Sequence, residues 1–184
     1  MFAELIARLG SALTAADIPY MIIGGQAVLV HGEPRLTKDI DVTVGVGPER
    51  LDDLLALVGK LGLEPLVDPA EFVPATFVLP SADPATGIRV DMILSHSPYE
   101  QIAIARVVFR TVGGEAVAFA SVEDLLIHKI VSGRPRDLED VRVVLIKNPG
   151  VQHDYVERWL RDFGDALSEP LLDRYRTVLR SSQP

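Results

Sequence analysis

Apolar residues at helical spacing open the chain: Leu5, Ile6, Leu9 and Leu13 share one face of a helix from Phe2 to about Ala16, which Asp17-Ile18-Pro19 breaks. The short apolar run Tyr20–Ile23 reads as a buried strand, ended by Gly24-Gly25, and Gln26–His31 continues as a short helix up to the turn at Gly32-Glu33-Pro34. From Asp39 to about Val46 the period becomes two. Asp39, Asp41 and Thr43 alternate with Ile40, Val42 and Val44, as in a strand with one apolar face. Pro48 opens a helix to about Leu61, striped by Leu51, Leu54, Leu55 and Val58. Thr76–Leu79 and Ile88–Leu94 read as neighbouring strands joined by the turn-rich Ser81–Gly87, and Val107–Val112 with Ala116–Phe119 as a hairpin around Gly113-Gly114. Past Ala120 only helical patterns remain. Ser121 and Asp124 form a capping box for a helix through about Val131, a second helix runs from about Arg136 to Lys147, and two more fill Gln152–Leu167 and Pro170–Arg180. This order predicts an α+β fold. A mixed, twisted sheet flanked by helices is expected over residues 1–120, with a helical C-terminal region over residues 121–184 packed on it.

Composition narrows the chemistry. A chain of 184 residues, 48% hydrophobic and 24% charged, is an ordinary globular protein with room for one core and an appended element. The absence of cysteine excludes disulfides, thiolate metal sites and cysteine nucleophiles, and fits a cytoplasmic chain. The net charge of −8 argues against a surface that grips a nucleic-acid backbone throughout. That charge is uneven: residues 1–128 hold eight basic against seventeen acidic side chains, and residues 129–184 hold ten against nine. An anionic partner is therefore expected at the C-terminal third. No apolar run approaches the ~20 residues that span a bilayer, and Met1–Gly10 lacks the pattern of an export signal, so no membrane association is expected.

The candidate chemistry lies in three carboxylates. Asp39 and Asp41, two apart on a strand, send their side chains to one face ~7 Å apart along the backbone. Two carboxylates so placed repel unless a cation sits between them, and a magnesium ion suits such oxygen ligands. Asp91 interrupts the otherwise apolar Val90-Asp91-Met92-Ile93-Leu94, where an isolated acid is costly unless a site employs it or Arg89 pairs with it. Three carboxylates from two adjacent strands could hold two ions ~4 Å apart, the arrangement of phosphoryl and nucleotidyl transfer. Gly24-Gly25, at a strand-to-helix turn, offers exposed N–H groups to an anion. Each signal also has a structural reading: a solvated acidic edge for Asp39 and Asp41, a plain turn for the glycines, a turn-shaping role for Arg35 and Thr37. Lys129 reads as a solvent-facing lysine at a helix end, and Arg134-Pro135-Arg136-Asp137-Leu138-Glu139-Asp140 as surface ion pairs at a helix junction. His31, His96, His128 and His153 lack metal-ligand spacing, and Tyr155, Trp159 and Phe163, spaced by four, read as helix packing.

Taken together, Gly24-Gly25, a short helix, Arg35-Leu36-Thr37-Lys38-Asp39-Ile40-Asp41-Val42 and the later Asp91 strand resemble the nucleotidyltransferase superfamily typified by polymerase beta. With Lys129 and Arg134–Asp140 added, the pattern looks like the AbiEii branch, which includes the MenT toxins of type IV toxin–antitoxin systems, and it spans roughly Tyr20 to Val143. The resemblance implies a magnesium-dependent enzyme in which Asp39, Asp41 and Asp91 bind Mg2+. Gly24, Gly25, Arg35, Thr37, Lys129, Arg136 and Asp137 would serve an NTP such as ATP. An acceptor hydroxyl would attack the α-phosphorus with loss of pyrophosphate, assisted by Asp41 or Asp91. The acceptor is left open among a tRNA 3′ end, a protein and a small molecule, and a cognate antitoxin is an implied partner. The alternatives are a noncatalytic nucleotide- or partner-binding module with the same fold and a phosphate-releasing hydrolase using the same ions.

Overall fold

The computed structural model describes residues 1–34, 36–95 and 97–182. Two compact units emerge, Met1–Gln26 with Leu36–Ala120 and Ala27–Arg35 with Ser121–Pro184.

The first unit is built on a seven-stranded mixed sheet. Its strands are β1 (Tyr20–Ile22), β2 (Asp39–Val44), β3 (Glu64–Pro65), β4 (Val78–Ala82), β5 (Arg89–Leu94), β6 (Val108–Val112) and β7 (Glu115–Phe119), in the spatial order β3-β4-β5-β2-β1-β7-β6. The pairs β2–β5 and β1–β7 are parallel and the rest antiparallel. One face of the central strands is apolar: Ile40, Val42 and Val44 on β2 and Val90, Met92 and Leu94 on β5 are all buried. Helix α1 (Phe2–Ala15) buries Leu5, Ile6, Leu9 and Leu13. Gly10 lets it approach the sheet closely, since a Cβ there would lie 2.7 Å from the Tyr20 hydroxyl, which itself accepts a hydrogen bond from the Ala118 amide.

Several elements depart from the pattern reading. Helix α2 (Gly24–His31) includes both glycines in its first turn rather than following them. Pro48–Arg50 forms a 3-10 turn before α3 (Leu51–Lys60), on which Leu54, Leu57 and Val58 share the buried face at spacings of three and four while Leu55 is only half-buried. Helices α4 (Pro69–Thr76) and α5 (Pro98–Ala105) fill stretches the periodicity left without an element. Because α4 consumes Thr76, β4 starts at Val78 and runs on to Ala82, into the stretch expected to be a turn.

The second unit is helical. It contains most of α2 with α6 (Val122–Ser132), α7 (Pro135–Lys147), α8 (His153–Leu167) and α9 (Leu171–Ser182). Ser121 caps α6, its hydroxyl accepting from the Asp124 amide, as the capping box requires. Leu125, Leu126, Ile130, Val141, Val144, Leu160 and Tyr175 form its interior. The end of α2 is tied to α7 by Asn148, whose side-chain amide donates to the carbonyls of His31 and Val144. Among the described residues no helix is long and apolar enough to cross a membrane.

Candidate active site

The acids are positioned by strand alternation and by register. On β2, Ile40, Val42 and Val44 must face the core, so Asp39, Asp41 and Thr43 occupy the other face. On β5 the same rule places Arg89, Asp91 and Ile93 opposite Val90, Met92 and Leu94. The parallel pairing then sets Asp41 directly beside Asp91, and Asp39 beside Arg89. Neighbouring strands lie ~4.8 Å apart, so all three acids share one patch of the sheet. Each is half-buried. The Thr37 hydroxyl donates to Asp39 Oδ1 at 3.1 Å, and the Arg89 guanidinium lies 3.3 and 3.4 Å from the two Asp91 carboxylate oxygens. Among the described residues, no three carboxylate or imidazole groups converge tightly enough to enclose an ion.

Gly24 abuts this patch. Its φ of +61° is the left-handed conformation that glycine tolerates, and a Cβ there would lie 2.8 Å from Asp41 Cγ and nearer still to Oδ2. Two independent constraints therefore demand glycine, and the first turn of α2 meets a carboxylate, the charge its N-terminal dipole favours. The register of β1 continues into the turn, where the Ile23 amide donates to the Asp41 carbonyl at 2.9 Å. Gly25 is buried. Arg35, like His96, lies outside the described residues.

Within the helical unit, Lys129 is 7% exposed rather than solvent-facing. Its ammonium contacts Asp137 Oδ1 at 2.6 Å and Asp140 Oδ2 at 2.9 Å, and the Ser132 hydroxyl donates to Asp137 Oδ2 at 2.7 Å. Burial alone would raise the Asp137 carboxyl, but the hydrogen bonds from Lys129 and Ser132 and the positive charges of Lys129 and Arg134 outweigh it and hold it below its ordinary value. The charge run thus splits: Asp137 and Asp140 are buried in this cluster, whereas Arg134, Arg136 and Glu139 are exposed. Asp140 was read only as part of the surface charge run, and Ser132 was not singled out. The signal available for Asp140 is its spacing of three from Asp137 on one helix. Along α8, Tyr155 meets Trp159 edge-on and Trp159 stacks on Phe163, with centroids 6.5 and 5.9 Å apart, and the Tyr155 hydroxyl donates to Asp124.

Solved structures share this architecture. The antibiotic-resistance factor ANT(2'')-Ia in solution aligns with a TM-score of 0.64 at 18% identity, covering 90% of this chain and 94% of that one. The crystal structure of ANT(2'')-Ia with adenylyl-2''-tobramycin gives 0.61 at 18% identity, covering 95% and 97%. The lincosamide antibiotic adenylyltransferase LnuA, with lincomycin bound, gives 0.52 at 14% identity, covering 72% and 89%. At such identities the likeness is one of fold. No curated protein sequence matches the chain. The family model for the nucleotidyl transferase AbiEii toxin of type IV toxin–antitoxin systems matches residues 15–178, which takes in the acid patch, the Gly24 turn and the Lys129 cluster, and the chain belongs to that nucleotidyltransferase family.

Proposed function

We propose that the chain transfers a nucleoside monophosphate from an NTP to an acceptor hydroxyl in a magnesium-dependent reaction, and acts in the cytoplasm as the toxin of a toxin–antitoxin pair. The observation that carries the reading is the β2–β5 register, which sets Asp41 beside Asp91 with Asp39 on the same face and Gly24 packed on Asp41. The chemistry of the donors suits magnesium, which takes one or two carboxylates from a protein and completes its shell with substrate phosphates: Asp41 and Asp91 stand in register on neighbouring strands, half-buried, with Asp39 on the same face. Asp39, Asp41 and Asp91 would hold the metal, which when bound neutralises the triphosphate and acidifies the attacking hydroxyl.

The chain's own groups account for the remaining steps. Asp41 or Asp91 accepts the acceptor's proton. The new bond forms between the acceptor oxygen and the α-phosphorus, the bond from the α-phosphorus to the bridging oxygen breaks, and pyrophosphate departs. Backbone N–H groups at Gly24 and Gly25 bind phosphate oxygens. Thr37 acts through Asp39, whose carboxylate it orients, and Arg35 supplies charge to the nucleotide. Lys129 and Arg136 are assigned to phosphate, and Asp137 to organising the Lys129 ammonium. An ammonium has three donors, and Asp137 and Asp140 take two of them.

The acceptor is a tRNA, a protein or a small molecule. Incubation with each α-labelled NTP, Mg2+ and, separately, RNA, cell protein and small-molecule extract identifies it. Label retained in one fraction, and lost with Asp39→Asn or Asp91→Asn, is the expected result. Free labelled nucleotide without a labelled acceptor would indicate a hydrolase, and no turnover by the folded wild type would leave a binding module.

A further inference from the structure

The acid patch carries a basic residue that the reaction scheme above does not use. Arg89 sits between Asp39 on β2 and Ala82 on β4, two residues before Asp91 on the same face, so two of its neighbours on that face are carboxylates. Its guanidinium contacts both Asp91 oxygens, at distances near the outer limit of a hydrogen bond. The Arg89 side chain is 55% exposed against 21% for Asp91, and the core beneath is filled by Val90 and Met92, so packing does not call for a basic side chain here. An exposed, loosely aligned ion pair of this kind is weak and readily exchanged.

We infer that Arg89 is the resident counter-cation of the acid patch, paired with Asp91 until a divalent ion displaces it. The inference rests on the reading of the three acids as a metal site and adds a competitor to it. A guanidinium and a divalent ion cannot both be accommodated on the same Asp91 oxygens without mutual repulsion. Arg89 therefore competes with the ion for the Asp91 oxygens and lowers the patch's affinity for it. It is a positioning residue for Asp91.

Mn2+, followed by the loss of its free-ion electron paramagnetic signal, serves as the probe, titrated into the full chain alone and with a non-hydrolysable ATP analogue, the second arm being read as the loss beyond that caused by the same analogue without protein. Arg89→Gln is expected to bind Mn2+ about two- to fivefold more tightly than the wild type in both arms, the range an exposed ion pair supports. Arg89→Lys, which keeps the charge, should remain close to the wild type, and Asp91→Asn should bind far more weakly. Unchanged or weaker binding by Arg89→Gln, while Asp91→Asn loses the ion, overturns the role of Arg89 alone. No Mn2+ bound by any folded variant in either arm overturns the metal reading and this inference with it.

Discussion

At the scale of single residues, the site is governed by what touches Asp41. Gly24 is both left-handed and pressed against that carboxylate, so the smallest possible side chain strains the turn and pushes Asp41 aside. Gly24→Ala is expected to lower kcat/KM for label transfer about a hundredfold, the scale of a 1 Å misplacement at a reacting centre, with the fold retained by circular dichroism. A variant as active as the wild type would remove Gly24 from the site. Thr37 acts more gently. Its hydroxyl holds Asp39 by one charge-assisted hydrogen bond, so Thr37→Val should cost about tenfold in kcat/KM and Thr37→Ser should restore most of it. The candidate acids were legible as residues because a carboxylate in an apolar strand is costly and must be explained. Of the partners that orient them, Arg89 was legible as a charge two residues from Asp91 that could pair with it, whereas Thr37 could as well have shaped the turn.

At the scale of elements, the junction of α6 and α7 holds a buried ionic cluster. Lys129 on α6 meets Asp137 and Asp140 on α7, and removing the lysine leaves two buried carboxylates short of their cation. Lys129→Met is expected to destabilise the helical unit by about 3 kcal/mol, read from urea denaturation, because breaking one side of a buried pair costs more than the pair is worth. If stability is unchanged while transfer is lost, the lysine serves the nucleotide alone. Ser121→Ala removes the cap of α6 and should cost about 1 kcal/mol by the same measurement. Elements with strong periodicity were legible from the chain: α1, β2 and α7 sit where the pattern puts them, within a residue or two. Helices α4 and α5 were not, although their starts are marked by Asp68-Pro69 and by Ser97-Pro98 with Glu100. At eight residues each they are too short for periodicity to register, and only their caps announce them.

At the scale of the whole molecule, ionic links make stability depend on pH. Asp137 has a folded carboxyl held below its ordinary value of 3.8, so its contribution is fully present above that value and is lost as pH falls through the depressed one. Urea midpoints measured between pH 7 and pH 2 should show the wild type above Asp137→Asn at neutrality and the gap closing below about pH 4. A constant gap would mean that the carboxylate's charge is not what stabilises the unit. The sequence by itself determined the class of fold, the alternation that puts Asp39 and Asp41 on one face, and the identity of Asp91 as their companion, because side-chain periodicity and the cost of burying charge act locally. Only the tertiary structure decided that β2 and β5 are parallel neighbours in the register that sets Asp41 beside Asp91, that Gly24 leans on Asp41, and that Lys129 is buried between two acids. The first two are contacts between segments apart in the chain, selected by how whole faces pack, and the third depends on how two consecutive helices meet at their junction, so no periodicity within one element encodes them.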